Sequence, residues 1–307
     1  MNKKIRKMLD GVNVAIYGSL PYLERVFDKI KIDTTACANV ELSSLGRGNR
    51  HVDLIVVAFN NLQLIAEQAR LVKKYMADDH YTYIVADNST DAKVRSEIKA
   101  FCLSEGLAYI PIPRCVRFLN LSKRCVSHAL ALNLIYKGVV NVRKPYVFGL
   151  LDHDIFPRRQ FSIVENMGDQ PFSGVMRDRR KGSEGGWYLW PGYAFYKYEF
   201  TEQRKPDFQP LMVNGVFLDT GGTNYKRLYS SFDPDKMKFA TERIVRVQKS
   251  EGIKRKVDTF LTDCVNMIDN DAWVHLINGS NTANIAFKAE KDRMITEFIR
   301  GLRWEDE

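Results

Sequence analysis

The sequence YVFGLLDHDIFP, residues 146–157, places Asp152 and Asp154 directly after an apolar run. A continuous apolar run that is too short for a typical helix predicts a strand buried on both faces. Two carboxylates separated by one residue can converge on a single divalent cation, and oxygen ligands suit Mg²⁺ or Mn²⁺. The alternative is an ordinary Asp-rich turn, because Asp-x-Asp also occurs by chance.

The residues before this stretch alternate between strand and helix patterns. Strands are predicted at 52–59, 81–87 and 107–113, and helices at 62–75, 92–105 and 122–136. This spacing predicts an α/β fold with a doubly wound, mostly parallel sheet and right-handed crossovers. In such sheets ligands bind beyond the carboxyl ends of the strands, which is where Asp87 and Asp152 fall.

The two flanks of this alternation are less regular. Residues 1–50 are interpreted as an N-terminal accessory extension, with a short strand at 12–17 and a helix at 21–29. On the other side, we predict a strand and glycine turn at 211–222, and helices at 236–251 and 283–302. The Gly-, Trp-, Tyr- and Arg-rich residues 172–199 are interpreted as a binding surface with mobile loops.

Four motifs in a fixed order carry a family resemblance. They are VDLIVVAFNN (52–61), YIVADNSTD (83–91), SKRCVSHALALN (122–133) and YVFGLLDHDIFP (146–157). Together they resemble the nucleotide-binding half of glycosyltransferase family two and its GT-A relatives. The resemblance implies a GT-A catalytic domain over residues 51–307, with a nucleotide-sugar-binding half at 51–157 and an acceptor-binding half at 158–307.

That resemblance also implies an activity. The expected reaction is transfer of a sugar from a UDP- or GDP-sugar to an acceptor hydroxyl, with inversion and with Mn²⁺ or Mg²⁺ as cofactor. The residues implied for the nucleotide sugar are Ala58, Phe59, Asn60, Asp87, Arg124, His128, Asp152 and Trp190. A carboxylate such as Asp87 can accept from a base N–H or a ribose hydroxyl, although an Asx turn explains it equally. The polar start of the third helix favours diphosphate, and a solvated helix start with a buried His128 is the alternative.

The resemblance further implies a cation site formed by Asp152, Asp154 and His275. Imidazole binds Mn²⁺ beside carboxylates, whereas a lone histidine is more often structural. An inverting transferase also needs a general base for the acceptor hydroxyl. Asp219 in FLDTGG is the first candidate, a structural turn is its alternative, and Asp233 and Asp235 are further candidates.

Composition restricts the partners. The formal net charge of +9 indicates an anionic partner, such as a diphosphate, nucleic acid or an acidic membrane surface. The five cysteines form no C-x-x-C pair, so a structural zinc site or disulfide framework is not expected. The start of the chain does not read as a signal peptide, so we expect a cytoplasmic protein, with possible peripheral contact between its basic segments and an anionic inner membrane face.

The acceptor is expected to be a glycan or a lipid-linked precursor. The aromatic segment 185–196 fits sugar stacking, and a core strand is its alternative. A nucleotidyltransferase acting on a sugar phosphate is a second hypothesis, but AFNNLQ lacks the Gly-rich basic loop that such enzymes usually show. A basic nucleic-acid-binding protein is a third hypothesis. Nucleic acid is not the expected partner, because the sequence has no helix-turn-helix, zinc-finger or RNA-recognition signature.

Overall fold

The computed structural model describes residues 30–118, 124–180, 185–249, 256–279 and 287–304. Its strands are β1 Val52–Ala58, β2 Tyr81–Asp87, β3 Ala108–Pro111, β4 Val147–Asp152, β5 Ile155–Pro157, β6 Phe172–Asp178, β7 Trp187–Lys197, β8 Leu211–Val213, β9 Val216–Leu218, β10 Glu242–Arg246, β11 Cys264–Ile268 and β12 Trp273–His275. Its main helices are α1 Leu62–Tyr75, α2 Ala92–Ser104, α3 Arg114–Phe118, α4 Arg124–Ile135, α5 Ile163–Met167, α6 Tyr198–Glu202, α7 Lys256–Asp263 and α8 Lys288–Trp304.

A six-stranded sheet in the order β3-β2-β1-β4-β7-β6 forms the centre of the fold. The first four strands in that order are parallel, and β7 pairs antiparallel with both β4 and β6. The chain moves outward from β1 to β3 and then returns to place β4 on the other side of β1. This arrangement confirms the predicted α/β class with a mostly parallel sheet, and its switch point lies between β1 and β4.

The central strands are buried because both faces of the sheet are covered. All seven residues of β1 are buried, and their side chains alternate between two apolar clusters. Ile55 and Val57 pack on one side, with residues of α4, and Leu54 and Val56 pack on the other, with residues of α1 and α2. The continuous apolar run in the sequence is therefore explained by burial on two faces.

A second, antiparallel sheet has the order β10-β11-β12-β5. Strand β5 follows the Asp152–Asp154 turn directly, and it pairs with β12 so that Ile155 lies opposite His275. Helices α1 and α8 cover one side of this sheet in a single apolar cluster. The second sheet therefore carries a distant part of the chain to the end of β4.

Several predictions about the second half of the chain are wrong in detail. Residues 211–218 form a two-stranded hairpin, β8 and β9, in place of one strand, and the predicted glycine turn follows it. The hairpin turns at Asn214 and Gly215, whose φ angles are both positive, as tight hairpin turns require. The helix predicted at 236–251 is instead the edge strand β10, preceded by a 3₁₀ turn at Pro234–Lys236. Ile244 and Val245 of β10 pair with residues of β11, and the local sequence pattern does not reveal this long-range pairing.

The mobile loops predicted for residues 172–199 are not seen over most of this range, whereas its role as a binding surface stays a prediction. Residues 172–178 and 187–197 form β6 and β7, which complete the central sheet, and residues 181–184 between them lie outside the described part. The helix predicted from 122 begins, in the part that is described, at Arg124, and it continues through a π-turn at Tyr136–Val140. The strand predicted at 12–17 and the helix predicted at 21–29 also lie outside the described residues.

Part of the predicted extension, residues 30–50, packs on the α/β domain. Ala38 bridges to Tyr109 of β3, and Ile32 contacts Gly138 in the core. Below the sheet, Nε and Nη2 of Arg143 donate to the two carboxylate oxygens of Asp53, each at 2.8 Å. Arg143 also donates to the carbonyl of Glu41, so this buried ion pair joins the segment before β1 to the sheet.

The basic helix α8 packs its apolar side on the second sheet. Met294, Ile295 and Ile299 are buried in the cluster that contains Phe156 and Leu276. Contact of this helix with an anionic bilayer stays a prediction, and it would have to use the polar side. No helix within the described ranges is both long and apolar enough to span a membrane.

Candidate active site

The turn after β4 is held from two sides. Gln68 of α1 donates to the backbone carbonyls of Asp152 and Ile155. Nδ1 of His153 lies 3.0 Å from the carbonyl oxygen of Val57 at the end of β1. These bonds fix the Asp-His-Asp turn at the switch point of the sheet, so the two aspartates start from a rigid backbone.

Each aspartate faces a histidine from another element. Nε2 of His128, in α4, lies 3.7 Å from Oδ1 of Asp152, and Nε2 of His275, at the end of β12, lies 3.6 Å from Oδ1 of Asp154. The second pair exists because β12 pairs with β5 and because Leu276 N donates to the carbonyl of Asp154. The structure thus brings together three segments that are far apart in sequence.

Burial controls the charges of this group. Desolvation, followed by the charges of Asp154 and Asp219, raises the pKa of Asp152 to about 7. Desolvation also lowers the pKa of His128 to about 4 and lowers that of His275. Both imidazoles are therefore neutral near pH 7 and able to ligate a metal ion, while the charge of Asp154 opposes ionisation of Asp152.

Trp190 of β7 lies beside both carboxylate–histidine pairs. Its ring centroid is 4.9 Å from that of His275, and the guanidinium of Arg177 lies 4.9 Å above the indole. Arg177 is held by Glu242 of β10 and lowers the pKa of Asp152 through its charge. Arg177 therefore lies on β6, the edge strand of the central sheet, and not in one of the mobile loops expected within residues 172–199.

Gly192 makes the close approach of these groups possible. A Cβ atom at this position would lie 2.6 Å from Oδ2 of Asp152 and 2.2 Å from the indole of Trp190. Gly279 similarly lies against Asp154, where a Cβ would come within 3.1 Å of the Cβ of the aspartate. Neither glycine was singled out by sequence reasoning, because only the folded chain shows what each one faces.

Asp219 lies next to this group. Its side chain is exposed beyond β9, its backbone N–H donates to the hydroxyl of Tyr188 at 3.2 Å, and its charge acts on both His128 and Asp152. Asp233 and Asp235 instead pair with Lys236 and Arg180. The geometry therefore favours Asp219 over those two as the acidic residue at the site.

The residues expected at the nucleoside form the loops beyond β1 and β2. Ala58 is fully buried at the end of β1, and Phe59 is half-buried after it. Asn60 Oδ1 accepts from the backbone N–H groups of Thr90 and Asp91, which joins the two loops. The side chain of Asn60 therefore ties the loop after β1 to the loop after β2 at this end of the sheet.

Asp87 has a structural role in this structure. It is fully buried, its Oδ1 accepts from Ser89 N at 2.9 Å, and its Oδ2 accepts from the hydroxyl of Tyr109 at 2.9 Å. Nη1 of Arg95 lies 3.8 Å from Oδ2. The alternative of an Asx turn is thus observed, and contact of Asp87 with a nucleoside stays a prediction that would need the carboxylate to be uncovered.

The polar start of α4 is described only in part. Ser122 and Lys123 lie outside the described residues, and Arg124 begins the helix without a described side chain. Ser127 is buried and accepts a hydrogen bond from Asn88 at 3.1 Å, so it joins α4 to the loop after β2. Of the residues predicted here, His128 alone is seen to reach the carboxylates.

The interpretation of the aromatic segment as a sugar-stacking surface is wrong for most of its members. Four of its aromatic side chains are buried in the two clusters of the central sheet: Trp187, Tyr188, Tyr193 and Tyr196. They are core residues of β7, as the alternative stated. Trp190 differs because it is only half-buried and lies at the site.

A preformed cation cage is not seen in the described part of the chain. No group of three His, Cys, Asp or Glu side chains there lies close enough to hold a metal ion. The donor set still fits a hard divalent cation, because Mg²⁺ and Mn²⁺ often take one or two protein carboxylates and complete their coordination with water and substrate phosphate. Asp154 with His275, and Asp152 beside them, offer such a set.

Comparison with known proteins adds little. No protein-family model and no curated protein matches this chain. One similar solved structure is a mannosyltransferase from Pyrobaculum calidifontis in complex with GDP-mannose and Mn²⁺. It shares 17% sequence identity, with a TM-score of 0.36 over 63% of this chain and 56% of that chain. A likeness this low supports no inference about activity.

We expect Gly192→Ala to disrupt the site. The new methyl group must displace either the Asp152 carboxylate or the Trp190 indole, and such overpacking typically costs about 1–3 kcal/mol. Differential scanning fluorimetry should show a lower Tm, and nucleotide binding should weaken. Gly48→Ala is the matched control, because nothing lies within 4 Å of its added Cβ. An unchanged Gly192→Ala protein would contradict the described packing.

The raised pKa of Asp152 predicts that the metal-free protein loses stability as pH rises. An aspartate in an unfolded chain titrates near pH 4, about three units below native Asp152. Between these values the native state keeps a proton that the unfolded state has lost, so the free energy of unfolding falls as pH increases. Asp152→Asn has no such proton. In EDTA, its stability advantage over the wild type should grow by on the order of 2–4 kcal/mol from pH 4 to pH 7 and then level off. A pH-independent difference would contradict the shift.

Proposed function

We propose that this protein is a metal-dependent glycosyltransferase that moves a sugar from a nucleotide-diphosphate sugar to an acceptor hydroxyl. The observation that carries the proposal is the pair Asp152 and Asp154 at the switch point of the sheet, each facing a neutral histidine. Crowded, partly desolvated carboxylates and uncharged imidazoles favour a cation. A cation at this edge of an α/β sheet lies where such folds bind nucleotides.

In this proposal Asp154 and His275 ligate Mn²⁺ or Mg²⁺, and Asp152 completes the protein contribution. When bound there, such a cation would supply positive charge against the diphosphate leaving group. His128 holds Asp152 in place, and the half-buried Trp190 forms a wall of the sugar pocket beside His275. The nucleoside of a UDP- or GDP-sugar is proposed to bind beside the half-buried Phe59, at the loops that follow β1 and β2.

Asp219 is the proposed general base of an inverting reaction. It is solvent-exposed, so an acceptor can reach it, and it lies close enough to Asp152 and His128 to influence their pKa values. Its carboxylate would accept the proton of the acceptor hydroxyl as that oxygen attacks the anomeric carbon. We further propose a glycan or lipid-linked acceptor and a cytoplasmic protein with peripheral membrane contact, as the basic composition favours.

The test is binding, followed by turnover. The Tm of the full chain is measured with UDP and GDP, each with Mn²⁺ or with EDTA, and nucleotide-sugar hydrolysis is then screened. Stabilisation that requires both nucleotide and Mn²⁺ supports the proposal. Stabilisation only by an oligonucleotide would favour a nucleic-acid-binding protein, and release of pyrophosphate from a nucleoside triphosphate and a sugar phosphate would favour a nucleotidyltransferase.

A further inference from the structure

Helix α8 contains a buried lysine whose side-chain amine has no hydrogen-bond partner among the described residues. Lys291 is fully buried, yet its Nζ has no hydrogen-bond partner, and no ion pair to it appears among the described residues. Removing an ammonium group from water without a partner costs several kcal/mol, so such groups are rare unless a ligand compensates them. A buried, unpartnered lysine therefore indicates a missing anion.

The position of Lys291 points to the candidate active site. It precedes Met294 and Ile295 by three and four residues, so it shares the helix side that packs against Phe156 and Leu276. Phe156 lies two residues after Asp154 on β5, and Leu276 directly follows His275. The charge of Lys291 accordingly acts on both Asp154 and His275, the two proposed ligands of the cation.

The other acidic neighbour of Lys291 has its own partner. The carboxylate of Asp263 accepts a hydrogen bond from Nη2 of Arg246 at 2.7 Å. Asp154 acts on Lys291 through its charge, but no ion pair joins them. Lys291 is therefore close to the carboxylate corner without being its counter-ion.

We propose that Lys291 binds the diphosphate of the donor, opposite the cation held by Asp154 and His275. Phosphate oxygens would then lie between two positive charges, the metal ion and the ammonium, which stabilises the nucleoside diphosphate as it leaves. Lys291 is a point-charge donor of the kind that binds phosphate in many nucleotide sites. This inference rests on the proposed function, and it names a residue that carries part of the affinity for the leaving group.

Isothermal titration calorimetry of the full chain with Mn²⁺ tests this role, using UDP, GDP and inorganic pyrophosphate as probes. Lys291→Met should weaken diphosphate binding by about 10- to 100-fold, the usual loss for a charge-assisted hydrogen bond. Lys291→Arg should retain part of the affinity. Lys288→Met is the matched control, because Lys288 lies one turn earlier on the same helix, is exposed and pairs with Asp292; its binding should be unchanged.

Stability separates this role from a structural one. If Lys291 serves to bind a ligand and not to stabilise the fold, ligand-free Lys291→Met should have a Tm equal to or above that of the wild type. The reason is that methionine removes an uncompensated buried charge. A clear drop in the Tm of Lys291→Met, or failure to fold, would show a structural counter-ion and overturn the inference. Diphosphate binding within twofold of the wild type would overturn it as well.

The probes also separate this inference from the proposed function. Binding of pyrophosphate by the wild type and its loss in Lys291→Met, without affinity for UDP or GDP, would support the lysine site while removing the nucleotide-sugar function. Wild-type protein that binds none of the three probes would overturn both. Nucleoside diphosphate binding that Lys291→Met leaves intact would overturn only the role of the lysine.

Discussion

Asp154→Asn is expected to lower Mn²⁺-dependent turnover of a nucleotide sugar by about 10³-fold, since a catalytic metal ion contributes several kcal/mol of transition-state stabilisation. An asparagine keeps the size of the side chain but loses the charge that holds a hard cation. The backbone carbonyl of Asp154, which accepts from Leu276 N at 2.9 Å, is unaffected, so the fold should persist. The measurement is donor hydrolysis and Mn²⁺ titration on the folded variant.

The control for this variant is Asp169→Asn, which removes one carboxylate from an exposed turn outside the site. Its activity and Mn²⁺ dependence should equal those of the wild type. Full Mn²⁺-dependent turnover by Asp154→Asn would remove this residue from the cation site. Loss of the far-ultraviolet circular dichroism signal would instead show that Asp154 is needed for folding.

The ion pair between Asp53 and Arg143 should have the largest effect on stability. Both side chains are buried, at 0% and 2% exposure, and they form two hydrogen bonds. Removing either partner leaves a buried charge without compensation, which costs about 3–5 kcal/mol. That is a large part of the 5–15 kcal/mol by which domains are usually stable. We therefore expect Asp53→Asn and Arg143→Met each to unfold at much lower urea concentration.

A double-mutant cycle identifies the source of the loss. The combination Asp53→Leu with Arg143→Met removes both charges. Its loss of unfolding free energy should be well below the sum of the losses in the two single variants. Lys144→Met is the matched control, because Lys144 is the next residue, is exposed and lies 3.9 Å from Glu202, a surface pair worth at most about 1 kcal/mol. Additive losses in the double variant would show that the pair is not coupled.

These two sites lie at opposite ends of the sheet, and this separation lets function and stability be tested apart. Arg143 lies at the start of β1 and β4, where it donates hydrogen bonds to Asp53 of β1 and to the carbonyl of Glu41 in the segment before the sheet. Asp152 and Asp154 lie beyond the carboxyl end of β4. Variants at Asp53 or Arg143 should keep their affinity for metal and nucleotide as long as they fold, since neither residue contacts Asp152 or Asp154 in the part of the chain that the structure describes.

The sequence predicted the first half of the domain well because that half is locally encoded. Strands β1 and β2 and helix α1 lie where apolar periodicity placed them, since a continuous apolar run and a 3.6-residue repeat are both short-range signals. The second half was predicted less well. Strand β10 and the hairpin of β8 and β9 depend on partners elsewhere in the chain, which periodicity does not contain.

The candidate site shows the same division. The Asp-His-Asp turn was evident from the chain itself, because an acidic pair followed a buried strand. The sequence did not show that Gly192 makes room for Asp152, that Arg177 covers Trp190, or that Lys291 is buried without a partner. These facts depend on distances between residues that are remote along the chain.

By itself, the sequence determined the α/β class with its mostly parallel sheet and the strand end that carries Asp152 and Asp154, because apolar periodicity and turn chemistry are visible over a few residues. Only the tertiary structure decided which side chains complete that corner. The pairing of β5 with β12 places His275 at Asp154, and the packing of α8 on the second sheet buries Lys291. Long-range pairing and close packing fix such neighbours, and no local pattern encodes them.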